Sequence, residues 1–269
     1  MNKQQLDKLT EQVKALAIEA GKFLLTERER FQLDKVEQKR SHDYVSYVDK
    51  ASEKLIVTKL KELLPEAGFI AEEGSAAMNG EPYCWLVDPL DGTTNFIHNN
   101  APFCVSIGLR NEQEMLLGVV YECCRQELYW ANSYSPAFLN GKEIRVSKVD
   151  VMDNAAIALG FTYDAERYRD FIVPLVGRLY GNVSTLRLQG SAAAEICYIA
   201  AGRFEARIEA LIGAWDVAAA SIILKRAGGK VTDFSGEESE LFYNGKETLT
   251  TNGLLHDAML TAIEGLSYR

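Results

Sequence analysis

The stretch Trp85-Leu-Val-Asp-Pro-Leu-Asp-Gly-Thr-Thr-Asn-Phe96 constrains this chain more than any other. Trp85, Leu86 and Val87 read as a buried strand that ends on Asp88. Pro89 is expected to block continuation of the sheet, and Asp91 follows three residues after Asp88. Gly92 permits a tight bend, and Thr93-Thr94 open a helical turn. The expected product is a strand end presenting two carboxylates beside a helix N-terminus. Carboxylates suit a hard cation such as magnesium. The free N–H groups of Thr93 and Thr94 suit a phosphate oxygen. Adjoining cation and anion sites are what metal-assisted phosphoryl transfer needs. Taken singly, Asp-Pro and Asp-Gly are also ordinary turn dipeptides.

Other acids stand at similar boundaries. Asp216, in Gly213-Ala-Trp-Asp216, precedes an apolar helix expected over 217–226, where its ordinary role is an N-cap. Glu72-Glu73 follows a short apolar strand, Phe69-Ile70-Ala71, and is otherwise a solvated charge pair. Asp49 opens a helix expected to end near Leu64, before Pro65, and there too a plain cap is the ordinary role. Gathered without a cation, such carboxylates would repel one another and take up protons.

Composition narrows the alternatives. A net charge of −9 argues against a nucleic-acid face, which needs a basic stripe. The five cysteines form no C-x-x-C pair and read as reduced core residues, and three dispersed histidines argue against a structural zinc site. A metal bound here would have oxygen ligands. No apolar run approaches the roughly 20 residues that span a bilayer. The N-terminus lacks the apolar centre of a signal peptide, so a cytoplasmic protein with no membrane partner is expected. With 47% apolar residues among 269, a sizeable core can be buried.

Periodicity predicts an amphipathic helix over 4–30, carried by Leu6, Leu9, Val13, Leu16, Ala20 and Leu24. Residues 35–43 are polar and read as a loop or hairpin. Strands over 104–109, 116–121 and 128–131 form an antiparallel meander, and Asn140-Gly141 is a turn. This divides the chain into an α+β half, 1–140, and an α/β half, 141–269, joined in one unit. In the second half, strands over 155–159, 183–188 and 204–209 alternate with helices over 164–180, 191–201 and 217–226.

At these motifs the sequence resembles the inositol monophosphatase family, of the magnesium-dependent, lithium-sensitive phosphatase superfamily. Residues 85–96 resemble its first signature. Trp215-Asp-Val-Ala-Ala-Ala220, followed by Ala-Gly-Gly at 227–229, resembles its second. Glu72-Glu73 and Asp43-x-Val-Ser-x-x-Asp49 also fit, with Ser46 where threonine is usual. The resemblance covers nearly the whole chain. It implies a layered αβαβα sandwich of the inositol monophosphatase / fructose-1,6-bisphosphatase type.

The resemblance also implies roles. Glu72, Asp88 and the Leu90 carbonyl would hold one magnesium, and Asp88, Asp91 and Asp216 a second. Glu72 would help a third ion. Thr93, paired with Asp49, would orient the attacking water, while Gly92, Thr93 and Thr94 bind phosphate. Gly190, Ser191, Ala192 and Glu209 match positions that contact the alcohol. Lys39 falls on the family's mobile loop. Arg207 is expected to pair with a neighbouring acid. A homodimer acting on a small phosphorylated substrate is implied, with inositol 1-phosphate favoured because Thr94-Asn95 stand where nucleotide phosphatases carry Lys-Glu. Alternatives are fructose 1,6-bisphosphate, 3′-phosphoadenosine 5′-phosphate, NADP or histidinol phosphate, or a non-catalytic regulatory protein on the same fold.

Overall fold

A computed structural model describes residues 1–31, 36–40, 43–78 and 80–268. The first half begins with helix α1 (Lys3–Glu29), the hairpin β1 (Val36–Arg40) and β2 (Asp43–Ser46), and helix α2 (Tyr47–Leu63). Then come β3 (Ala67–Ala71), β4 (Tyr83–Asp91), the short α3 (Thr93–Ile97), β5 (Cys104–Arg110), β6 (Met115–Glu122) and β7 (Glu127–Asn132). Two short strands, β8 (Phe138–Leu139) and β9 (Lys142–Glu143), follow. The second half comprises β10 (Ala156–Leu159), α4 (Ala165–Leu179), β11 (Thr185–Arg187), α5 (Ala192–Ala200), β12 (Ala206–Ala210) and α6 (Ala214–Arg226). It closes with β13 (Lys230–Thr232), α7 (Glu240–Tyr243), β14 (Glu247–Thr251) and α8 (His256–Ile263).

These elements stack as the layered αβαβα sandwich. A seven-stranded sheet runs in the order β3-β4-β5-β6-β7-β8-β9, and a five-stranded sheet in the order β11-β10-β12-β14-β13. The outer layer of α1 and α2 covers one face of the first sheet, burying Leu6, Val13, Leu24, Ile56 and Leu60 against Trp85, Val105, Ile107 and Val119. Helices α5 and α6 fill the space between the sheets, through Ile196, Ile199, Val217 and Ile223. The far face of the second sheet is covered by α4 and α8, through Phe171, Leu175 and Met259. Strand periodicity divides the faces: on β12, Ala206, Ile208 and Ala210 enter the outer core, which turns Arg207 and Glu209 toward the α5–α6 side.

The seating of α6 depends on two glycines that pair across β5 and β6, Gly108 and Gly118. A Cβ on Gly118 would lie 2.1 Å from the Ala219 carbonyl oxygen, and one on Gly108 would lie 3.2 Å from the Ala219 nitrogen. Only bare backbone lets the helix approach this closely. The close approach brings the first turn of α6 over the end of β4.

Several boundaries differ from the sequence reading. Pro89 does not end its strand: β4 continues to Asp91 through a register shift. Asp216 is not an N-cap, because α6 begins earlier, at Ala214. Likewise α2 begins at Tyr47 with Ser46 as its N-cap, so Asp49 lies inside the first turn. The strand expected over 183–188 shrinks to Thr185–Arg187. The helix expected over 164–180 does form, as α4, with Pro174 inside it. The polar segment near 35–43 contains the antiparallel pair β1 and β2, while Lys35, Ser41 and His42 lie outside the described residues, as does the Lys39 side chain. No helix among the described residues is long and apolar enough to cross a membrane.

Candidate active site

The register shift in β4 explains how one strand presents two acids to the same side. In a regular strand, residues three apart point to opposite faces. Here Asp88 pairs with Ser106 and Asp91 with Cys104, so three steps on β4 oppose two on β5. The extra residue of this bulge returns Asp91 to the face of Asp88. The first turn of α6 then brings in Asp216, whose carboxylate also accepts the Gly213 N–H at 2.6 Å. The Trp215 carbonyl beside it accepts the Ser106 hydroxyl at 3.3 Å, tying that turn to β5.

Asp88, Asp91 and Asp216 each offer an oxygen within 4.8 Å of the others. Burial pushes the Asp88 carboxyl well above the ordinary range, and the charges of Glu72, Asp91 and Asp216 push it further. Burial raises Asp216 in the same way, with Asp91 and Glu72 adding to the effect. Asp91 is raised by burial too, but it is better supported as an anion. Its oxygens accept the Ser191 hydroxyl at 2.7 Å and the Ala192 and Ala193 amides at 3.1 and 2.8 Å. The Cys104 thiol lies 3.4 Å away. Protein donors thus satisfy one side of Asp91, and the more distant Arg207 charge, itself engaged by Glu195 and Glu209, also favours its ionised form. An oxygen-only, crowded and reluctantly ionised donor set of this kind fits a hard divalent cation.

Helix α2 holds the loops around this trio. Asp49, Ser52 and Glu53 are buried, at i, i+3 and i+4, on one face of the helix. Asp49 Oδ1 accepts the Thr93 hydroxyl at 3.0 Å, while its Oδ2 accepts the Ser46 amide and hydroxyl at 2.9 and 2.7 Å. Ser52 donates to the Pro89 carbonyl at 3.1 Å, in the bulge. Glu53 accepts the Glu73 and Ser75 amides at 2.7 and 2.8 Å, fixing the loop that carries Glu72. Burial raises the Asp49 carboxyl, and the donors Ser46 and Thr93 oppose that shift.

Gly92, at φ 94°, turns the chain from β4 into α3, a left-handed conformation that disfavours other residues. The first amides of α3 have no intrahelical acceptor. The Leu90 carbonyl accepts the Thr93 hydroxyl at 3.1 Å, and the Leu90 amide donates to Asp88 at 2.9 Å.

One cleft of about 340 Å³ collects Glu72, Asp88, Leu90, Asp91, Gly92, Thr93, Thr94, Gly190, Ser191, Ala192, Glu209 and Asp216. Of the described residues given a catalytic, metal or substrate role from the sequence, Asp49 alone is not in its lining; it reaches the site through Thr93. Glu72 lines the cleft but lies outside the tight aspartate trio. Ser191 and Ala192 direct their donors at Asp91. Arg207 pairs with Glu195 at 2.8 Å and with Glu209, and all three line the cleft. Glu205 instead accepts the Ala156 amide at 2.6 Å. Glu53, Ala193 and Glu195 were not read from the sequence. The spacing of Glu53 from Asp49 was the available signal for the first; nothing in the sequence marked an amide or a buried pairing acid.

Comparison with known proteins agrees with this geometry. The model of the inositol monophosphatase family matches residues 5–267. Inositol monophosphatase 2 of Solanum lycopersicum is 40% identical over 236 residues, covering 85% of this chain and 88% of that one. Nus factor SuhB of Escherichia coli K12 is 36% identical over 221 residues, covering 82% and 83%. Among solved structures, the extragenic suppressor protein suhB of Bartonella henselae superposes with a TM-score of 0.87 at 31% identity, covering 93% and 96%. With this match along nearly its full length, the chain belongs to the inositol monophosphatase family.

Proposed function

We propose that this chain is a magnesium-dependent phosphomonoesterase whose substrate is inositol 1-phosphate. The observation that carries the reading is the aspartate trio, opened beside the first turn of α3 in one cleft. Six carboxylates and one guanidinium line that cleft. An anionic substrate would be repelled without cations, so Asp88, Asp91, Asp216, Glu72 and the Leu90 carbonyl are assigned to hold two or three magnesium ions. Bound magnesium would neutralise the phosphoryl oxygens and ease ionisation of water.

The remaining roles belong to the chain. The amides following Gly92, at Thr93 and Thr94, orient the phosphate. Thr93 donates a hydrogen bond to Asp49, so its proton can pass to that carboxylate as its oxygen takes the proton of the attacking water. Burial makes Asp49 a stronger base than an exposed aspartate. Glu209 accepts a hydroxyl of the alcohol, from a wall built with Gly190, Ser191 and Ala192. Phosphate-monoester hydrolysis requires a barrier reduction of order 20 kcal/mol, which electrostatic stabilisation and positioning together can supply. Lithium sensitivity, a homodimer, and a site shared by the halves 1–140 and 141–269 belong to the same proposal.

The test is phosphate release from a panel of phosphomonoesters, with and without magnesium, by wild type and Asp91→Asn. The variant is expected to lose nearly all turnover while keeping its circular dichroism. Wild-type turnover by Asp91→Asn would refute the assignment. The similarity to a protein named Nus factor SuhB favours a second reading, a regulatory binding protein. Absence of magnesium-dependent phosphate release across the panel would select it.

A further inference from the structure

We infer that Leu211 is a positioning residue for the aspartate trio: its side chain, anchored in the outer core, holds the turn of the chain that delivers Asp216. The inference rests on the magnesium assignment above and deepens it, naming what keeps that site in its binding-competent shape. Four non-glycine residues among those described have a positive φ: Asn99, Gln126, Asn140 and Leu211. The first three are polar residues of turns. Leu211, at φ 63°, is apolar and lines the cleft with Ile212 and Gly213. The left-handed region is unfavourable to a residue with a Cβ, and such a conformation persists only where its surroundings impose it.

Alternation along β12 shows what this conformation does. Ala206, Ile208 and Ala210 enter the outer core, so continued extended chain would turn Leu211 inward and Ile212 outward. The order is reversed. Leu211 packs against the outer core, as Ala210 does, and Ile212 packs against the core between the sheets. One left-handed residue thus exchanges the faces of the residues that follow, as a bulge does. Two backbone hydrogen bonds hold the exchanged chain. The Leu211 amide donates to the Lys246 carbonyl at 3.1 Å, and the Ile212 amide to the Gly245 carbonyl at 3.0 Å. A Cβ on Gly245 would lie 2.8 Å from the Gly213 carbonyl oxygen, so the two segments meet as bare backbone.

The turn is passed directly to the metal trio. Only Ile212 and Gly213 separate Leu211 from the start of α6 at Ala214, and the Gly213 amide donates to Asp216 at 2.6 Å. No loop between them could absorb a change of direction. Glycine would accept the same φ without strain, but it would also leave it freely. The leucine side chain offsets the strain by its burial and ties the turn to the outer core.

The experiment titrates magnesium chloride alone, by calorimetry, into wild type, Leu211→Gly, Leu211→Ala and Leu211→Met, with melting temperatures measured alongside. If the released turn in Leu211→Gly holds the native geometry about a tenth of the time, the apparent Kd for magnesium rises about tenfold. Leu211→Ala, which keeps a Cβ and guards against a glycine variant that fails to fold, should raise it at least about threefold by the same reasoning. Leu211→Met, apolar and of similar volume, should keep the anchor and a Kd within about twofold of wild type. Phosphate release by the glycine and alanine variants should need correspondingly more magnesium and recover most of its turnover at saturation, because what is lost is the population of the competent site. A purely structural role would lower the melting temperature and leave the Kd unchanged. A wild-type Kd in the folded glycine or alanine variant overturns the inference, as does a methionine variant that binds as weakly as they do. Wild type that binds no magnesium overturns the magnesium assignment itself, and the inference falls with it.

Discussion

Gly118→Ala tests whether the aspartate cluster depends on how closely α6 sits on the first sheet. The new methyl would lie 2.1 Å from the Ala219 carbonyl oxygen, 2.8 Å from its carbonyl carbon and 2.7 Å from Ile222 Cγ2. Two of these contacts are backbone, so no rotamer change relieves them. Ordinary contact is about 3.5 Å, so α6 must retreat by roughly 1.4 Å or the sheet must yield by as much. Overpacking of this kind costs about 1–3 kcal/mol, or a melting-temperature drop of roughly 2–12 °C for a chain near this size. Asp216 lies on the first turn of the displaced helix. A misplacement of about 1 Å costs of order 100-fold in rate. The expected result is a folded variant with a modestly lowered melting temperature, a raised magnesium half-saturation and turnover down about 100-fold. Gly177→Ala is the control, since nothing lies within 4 Å of its added methyl and it sits in α4. That variant should gain about 0.5–1 kcal/mol. Wild-type turnover and magnesium dependence in Gly118→Ala would refute the link between helix seating and the cluster.

Two further outcomes are expected. Glu53→Gln removes the charge that holds the Glu73 and Ser75 amides; magnesium half-saturation should rise several-fold with the fold retained, and unchanged magnesium dependence would dismiss Glu53 as a positioning residue. His256 accounts for a pH effect on stability. Burial, aided by Lys230, lowers its pKa from 6.5 to about 4, and the ring bridges Thr232 and Thr251 at 3.0 Å each. Below pH 6.5 the unfolded chain takes up a proton that the folded ring refuses, so this contribution is intact above pH 6.5 and is lost as pH falls toward 4. The loss reaches at most about 3 kcal/mol. Urea titrations should show wild type losing more stability than His256→Gln between pH 7 and 5; parallel losses would refute it.

The sequence showed its strands and helices most clearly where one period governed, as along α1 and the β5–β7 meander. It showed the site where several residues each carried chemistry, as in 85–96. What it concealed came from competition between local signals. Pro89 reads as a stop, yet the bulge gives it a place without a ladder N–H. Asp216 and Asp49 read as caps because acids favour helix starts; in each case the preceding residue at the cap, Gly213 or Ser46, displaced the acid into the first turn. Arg207 and Glu209 could be placed on one face by alternation, but their pairing with Glu195 depends on how α5 meets β12, which no local pattern records.

The single face of α2 that touches Thr93, Pro89, Glu73 and Ser75 acts as a ruler for three segments that are distant along the chain. Each residue of helix turns its direction by about 100° and advances it 1.5 Å. Deleting one residue between Asp49 and Ser52 would put the Thr93 contact out of register with those to Pro89, Glu73 and Ser75. The segments between the anchors are under no such restriction, since loop length costs little. Relatives that preserve this chemistry can therefore vary the connection between α2 and Glu72 widely, while the count from Asp49 to Glu53 must stay at four.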